Sequence, residues 1–131
     1  FAPETYYAAA VSHHADDHRA VSIIYNKDEP VGLIDMDTRR GAHAQYGWIS
    51  LLYLREDYRS RGFGIQLLAR PLRDYADMQR NALRLLVSSD NERALKFYKR
   101  YGFRQLSTQP GAAGELLLME RKLGGSRDAR V

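Results

Sequence analysis

A chain of 131 residues, 44% of them hydrophobic, is long enough for one domain with an ordinary core and too short for two. The net charge of +4 is modest, and the basic residues are scattered among acids except near Arg59 and Arg61, which gives a nucleic-acid face little support. There is no cysteine, which excludes disulfides, thiolate zinc sites and a cysteine nucleophile, and no apolar run approaches the roughly 18 residues of a membrane span, so a soluble, cytoplasmic protein is expected.

Pro3 to Asp17 carries Tyr6, Tyr7, Ala10 and His14 at helical spacing. His14 and His18 stand one turn apart beside His13 and Asp17, a candidate metal cluster for which a solvated helix end is the plainer reading, and no metal is expected. Ala20 to Tyr25 mixes β-branched and aromatic residues and predicts a strand, Asn26 to Glu29 a turn, and Val31 to Asp37 the hairpin partner. Thr38 to Gln45 is polar and contains glycine, hence a loop, with His43 facing water or a substrate. Tyr46 to Leu54 predicts the next strand and holds Trp48, a residue more often found in a core or a pocket wall than in chemistry.

That strand leads into Arg59-Ser60-Arg61-Gly62-Phe63-Gly64 and then a helical pattern in which Ile65, Leu68, Leu72, Tyr75 and Gln79 make one buried face. A strand feeding a glycine loop at a helix start presents unpaired N–H groups at the positive end of the helix dipole, a seat for phosphate. Gly62 and Gly64 let backbone approach an anion without a Cβ in the way, and Arg59 and Arg61 add charge there. A solvated turn is the alternative reading of these six residues alone. Pro71, inside the helix, removes a backbone hydrogen bond and is expected to bend or shorten it.

Ala82 to Val87 is a compact apolar strand, parallel to Tyr46 to Leu54 through a right-handed crossover. Ser89 and Glu92 have capping-box spacing, Asp90 is a second cap candidate, and Gly102 ends the following helix. Phe103 to Ser107 and Glu115 to Lys122 predict the last two strands around a loop over Gln109 to Gly114, and Gly124-Gly125-Ser126 opens a polar tail expected to be disordered. The expected organisation is thus one domain over 1–123 and a flexible tail over 124–131.

Arg59-Ser60-Arg61-Gly62-Phe63-Gly64 resembles the R/Q-x-x-G-x-G/A signature of the GNAT acetyltransferases, placed as in that family after the fourth strand and opening the third helix. Asn91 to Phe103 resembles the family's N-x-x-A-x-x-F-Y-x-x-x-G-F helix. The two motifs in this order are far more specific than either alone. The resemblance implies an α/β (α+β) fold: a mixed, mostly antiparallel sheet with a parallel, splayed pair (46–54 and 82–87) flanked by helices. The family's first strand is expected to be missing here, which suggests a domain excised from a larger polypeptide, and the chain distantly resembles acetyltransferase domains fused behind a histidine-phosphatase-like domain; covalent fusion to a further domain is thus an expectation, as is a homodimer.

The resemblance also implies a site. Acetyl-coenzyme A would lie between the splayed strands, its pantetheine amides pairing near Leu52 and Leu54 and its pyrophosphate resting on Arg61, Gly62, Phe63, Gly64 and Ile65, with Arg59 reinforcing the loop or its phosphate contacts. Asn91 would bind the pantetheine arm or a water, and Tyr98 would protonate the departing sulfur, although an aromatic at helical spacing with Ala94 and Tyr101 is ordinarily core. The acceptor is the primary amine of a small molecule, amino acid or peptide. Trp48 stands where some relatives carry a glutamate base, leaving Glu56, Asp57 and His43 as fallbacks. A non-catalytic acyl-coenzyme A binding or sensing domain is the alternative function. A generic nucleotide site is disfavoured, since neither G-x-x-x-x-G-K-[ST] nor the full G-x-G-x-x-G is present.

Overall fold

A computed structural model describes residues 19–123. Six strands form one sheet in the order β1-β2-β3-β4-β6-β5: β1 (Arg19–Asn26), β2 (Glu29–Asp37), β3 (Tyr46–Leu54), β4 (Ala82–Ser88), β5 (Arg104–Gly111) and β6 (Gly114–Lys122). Helix α1 (Phe63–Asp77) joins β3 to β4 and helix α2 (Glu92–Arg100) joins β4 to β5. Every neighbouring pair is antiparallel except β3 with β4, the pair linked by the crossover helix. This is the mixed sheet with a parallel pair that the motif resemblance implies.

The sheet is apolar on both faces at its centre, and α1 and α2 cover one of them. Leu67, Leu68 and Tyr75 of α1 and Tyr98 of α2 join Leu83, Leu85, Val87, Leu117 and Met119 in one core. Along β4 this face alternates with a half-buried one carrying Arg84, Leu86 and Ser88, as a pleated strand requires.

The α1 face differs from the expected one by a rotation. Leu67, Leu68, Pro71 and Tyr75 are buried, whereas Gln79 is exposed beyond the helix end at φ 62°. Pro71 does not shorten the helix; it sits fully buried within it, so its ring contributes packing where its nitrogen contributes no hydrogen bond. Tyr75 anchors the helix, its hydroxyl donating to the Trp48 carbonyl at 2.8 Å. A Cβ built on Gly47 would lie 2.3 Å from the Tyr75 ring, so α1 seats on β3 only because residue 47 has no side chain.

The loop over 38–45 is tied down. Arg80 donates to the carbonyls of Tyr46 (2.8 Å) and Thr38 (2.7 Å), and the Arg40 guanidinium stacks 3.6 Å from the Trp48 ring centroid. Trp48 is thereby buried, as its size suggested. The Gln109 to Gly114 loop is shorter than expected: β5 and β6 pair as far as Gly111 with Gly114, leaving only Ala112 and Ala113 to turn the chain. Pro110 is accommodated because β5 is the sheet's edge strand.

The helix α2 is capped by Asn91, not by Ser89 or Asp90: Asn91 Oδ1 accepts from the Ala94 N–H at 3.1 Å. Ser88 Oγ instead donates to Asp90. Glu92 in the first turn and Lys99 and Arg100 in the last complement the helix dipole. The metal candidates His13, His14, His18 and Asp17, the helical stretch 3–17 and the tail 124–131 lie outside the described residues. Among the described residues no group of His, Asp and Glu is arranged to hold a metal, and no helix is long and apolar enough to cross a membrane.

Candidate active site

Two strands that start as neighbours and end apart create the site. β3 and β4 pair in register only from Tyr46 with Ala82 to Ile49 with Leu85. Beyond that point β3 stays with β2, ending at Leu54 opposite Gly32, and β4 stays with β6, ending at Ser88 opposite Leu116. The divergence coincides with a bulge, since Asp35 opposes Leu51 while Met36 opposes Ile49, leaving Ser50 as an extra residue in β3.

The bulge also decides which backbone groups meet the gap. The Arg55 N–H bonds the Val31 carbonyl at 2.8 Å, so by the alternation of an antiparallel ladder Tyr53 directs its backbone groups to β2 and Leu52 and Leu54 direct theirs away from it. Those are the two residues expected to meet an extended ligand. The cleft between the strands has a volume of about 180 Å³ and draws its walls from both sheet faces. Leu52, Leu85, Val87, Ala94 and Tyr98 stand on the helix side, and Leu51, Leu86 and Ser88 on the other.

At the carboxyl end of β3 the chain turns through a short 3-10 helix (Glu56–Tyr58) into the glycine loop. Ser60 and Gly62 both adopt left-handed backbone, φ 61° and 87°, an alternation that gathers successive N–H groups into a concavity suited to anions. Gly62 precedes the first turn of α1; no side chain caps this helix end and no acid lies in its first turn. The N–H groups of the first turn therefore aim outward with the dipole unopposed.

The two arginines build the loop. Arg59 Nε donates to the Leu54 carbonyl at 2.8 Å, closing the end of β3. Arg61 donates to the Asp57 carbonyl at 3.1 Å, and its guanidinium lies 5.0 Å from the Tyr58 ring centroid. Gly64 is also set by packing: a Cβ there would lie 3.0 Å from the Phe97 ring, tight enough to press on it, so it marks where α2 meets the start of α1. The helix motif and the loop motif are thus in direct contact.

Tyr98 lines the cleft from α2 and is 7% exposed. Burial pushes its phenol up to about 12, so the hydroxyl keeps its proton at neutral pH. Its ring packs edge-on against Phe97 and Phe103. Asn91 lines the same cleft; with Oδ1 committed to the helix cap, its amide N–H₂ is the part available to a ligand.

The fallback bases lie elsewhere. Asp57 is bound by Arg55 through two contacts (3.0 and 2.6 Å), which hold its carboxyl below the usual range, while a third N–H of Arg55 reaches Glu29 at 2.6 Å. Glu56 is exposed in the 3-10 turn, and His43 is exposed ahead of the first residue of β3, at the strand's far end from the glycine loop. The wall residues Ser50, Leu51 and Leu85 to Ser88 were not foreseen, because the bulge and the point of divergence have no local sequence signal. Asp35 is fully buried on β2 opposite Leu51, and an Asp between apolar residues of that strand was the sequence signal for it.

The profile of the Acetyltransferase (GNAT) family matches residues 1–103. The chain belongs to that family. A mycothiol acetyltransferase of Corynebacterium aurimucosum is 38% identical over 58 residues, which are 44% of this chain and 19% of that protein, so the match spans about a fifth of the relative's length. Among solved structures, a spermidine N-acetyltransferase of Vibrio cholerae superposes at a TM-score of 0.75 with 14% identity, covering 99% of this chain and 80% of the other. The PaiA N-acetyltransferase of Thermoplasma acidophilum, in complex with coenzyme A, superposes at 0.70 with 18% identity, covering 91% and 70%. At such identities these GNAT structures establish the shared fold, with its parallel β3–β4 pair.

Proposed function

We propose that this GNAT domain is an acetyl-coenzyme A dependent N-acetyltransferase acting on a primary amine by direct attack. The observation that carries the reading is the cleft between the diverging ends of β3 and β4, which runs between the outward backbone of Leu52 and Leu54 and the buried Tyr98 hydroxyl. It lies beside a helix start that no side chain caps.

The residues present fit such a co-substrate. The N–H groups of Arg61 to Ile65 would hold its pyrophosphate, and the outward backbone of β3, at Leu52 and at the Leu54 N–H, its amide-bearing arm. Arg59 and Arg61 stiffen that cradle and keep further N–H donors for phosphate oxygens. When bound, acetyl-coenzyme A supplies an activated acetyl thioester. Tyr98 holds a proton at its hydroxyl, where a departing thiolate can take it as the new C–N bond forms and the C–S bond breaks. Asn91 orients the arm through its free amide, and the leucine walls exclude water that would hydrolyse the thioester.

A thermal-shift titration with acetyl-coenzyme A, desulfo-coenzyme A and ATP tests the site. Ligand at one hundred times its dissociation constant stabilises by about 2.7 kcal/mol. Stabilisation by both coenzyme A forms but not by ATP is expected, and no shift from either would sink the reading. Stabilisation without thiol release in the presence of any amine would instead favour an acyl-coenzyme A sensing domain.

A further inference from the structure

The cleft opens through the sheet to the face that α1 and α2 leave uncovered, where the lining is mostly apolar and the carboxylate directly across from Leu51, Asp35, is fully buried. Leu51 flanks the opening on β3 and Leu86 on β4, with Leu118 directly across from Leu86 on β6. All three are half-buried, an apolar floor beside the cleft, with the hydroxyls of Ser50 and Ser88 at the rim.

One residue pair further along the same face the character changes to charge. Arg84 faces Glu120 across β4 and β6, Nε to Oε2 at 2.9 Å, and Glu120 is 4% exposed. Arg104 and Lys122 approach the same carboxylate at 3.9 and 3.7 Å while remaining 67% and 71% exposed. Three cations surround one carboxylate, so this row carries an excess of two positive charges, and it lies roughly 7 Å along the strand from the leucine pair.

From this juxtaposition we infer that the acceptor is a primary amine carried on an apolar body, with any second charge on it negative and about 7 Å or more from the amine. This rests on the acetyltransferase reading above. A polyamine would lay ammonium groups against the leucines, where the nearby Asp35 carboxylate is fully buried and out of contact with them, and then against Arg84, Arg104 and Lys122. An aromatic or aliphatic amine would instead bury its body on Leu51, Leu86 and Leu118, and a carboxylate beyond it would meet the cation row.

The test uses the full chain saturated with coenzyme A and three probes, benzylamine, 4-(aminomethyl)benzoate and spermidine, with binding followed by NMR titration and turnover by thiol release. Tightest binding is expected for 4-(aminomethyl)benzoate, then benzylamine, with spermidine weaker by at least about tenfold. Lys122→Glu, a change at an exposed side chain, narrows the gap between 4-(aminomethyl)benzoate and spermidine, and Leu86→Thr weakens benzylamine. Spermidine binding as tightly as benzylamine, or no binding of any of the three, overturns the inference. The coenzyme A titration is read separately: if it shows no shift, the acetyltransferase reading fails, and the same three amines compared on the ligand-free chain still decide this one.

Discussion

Tyr98 shows how burial can hold a proton on a phenol. Its hydroxyl meets no hydrogen-bond partner among the described residues, and burial pushes its ionisation up to about 12, so the proton is retained across the working pH range. Tyr98→Phe should lower turnover by roughly a hundredfold while leaving coenzyme A affinity and folding stability nearly unchanged, which thiol-release kinetics and calorimetric titration together check. Tyr75 is also raised to about 12, chiefly by burial. An unfolded tyrosine ionises at about 10, so above that pH the unfolded chain sheds protons that the folded chain retains, and stability falls as pH rises from about 10 through 12. Urea midpoints measured at pH 8, 10 and 11.5 should be flat over the first interval and drop over the second.

At the scale of elements, the start of α2 serves two ends at once. Asn91 caps the helix through Oδ1 and presents its amide N–H₂ to the cleft. Asn91→Ala should cost about 1 kcal/mol of stability and weaken coenzyme A binding. Asn91→Asp retains a capping oxygen and should keep the stability while still weakening the binding, because the N–H₂ donor is gone. Equal stability loss in both variants, read from denaturant curves, would show that the cap geometry and not the acceptor atom matters. The glycine loop and α2 are coupled through the close approach of Gly64 to Phe97, so the two motifs that revealed the family in sequence are also parts of one packed unit.

At the scale of the whole molecule, the core holds because α1 can lie flat on β3. Gly47→Ala would place a methyl group 2.3 Å from the buried Tyr75 ring, which neither the ring nor the backbone can yield to cheaply. A loss on the order of 3 kcal/mol and a displaced α1 are expected, visible as a lower thermal midpoint and a weaker coenzyme A shift together. Periodicity and turn chemistry made β1 to β4, the crossover helix and the stop at Gly102 legible, since alternation and helical spacing are local properties of the chain. The glycine loop and the Asn91 to Phe103 helix carried the family because a loop that leaves backbone exposed at a helix start, and the helix packed beside it, write their requirements into consecutive residues. What no window of sequence contains is the relation between strands. The bulge at Ser50, the parting of β3 and β4 after Ile49 and Leu85, the pairing that turns β5 and β6 into one tight hairpin, and the need for glycine at 47 are each set by contacts between residues far apart in the chain. The sequence by itself therefore determined the elements and the family, and the tertiary structure decided where the sheet opens and which side chains face that opening, because register and packing depend on distant partners.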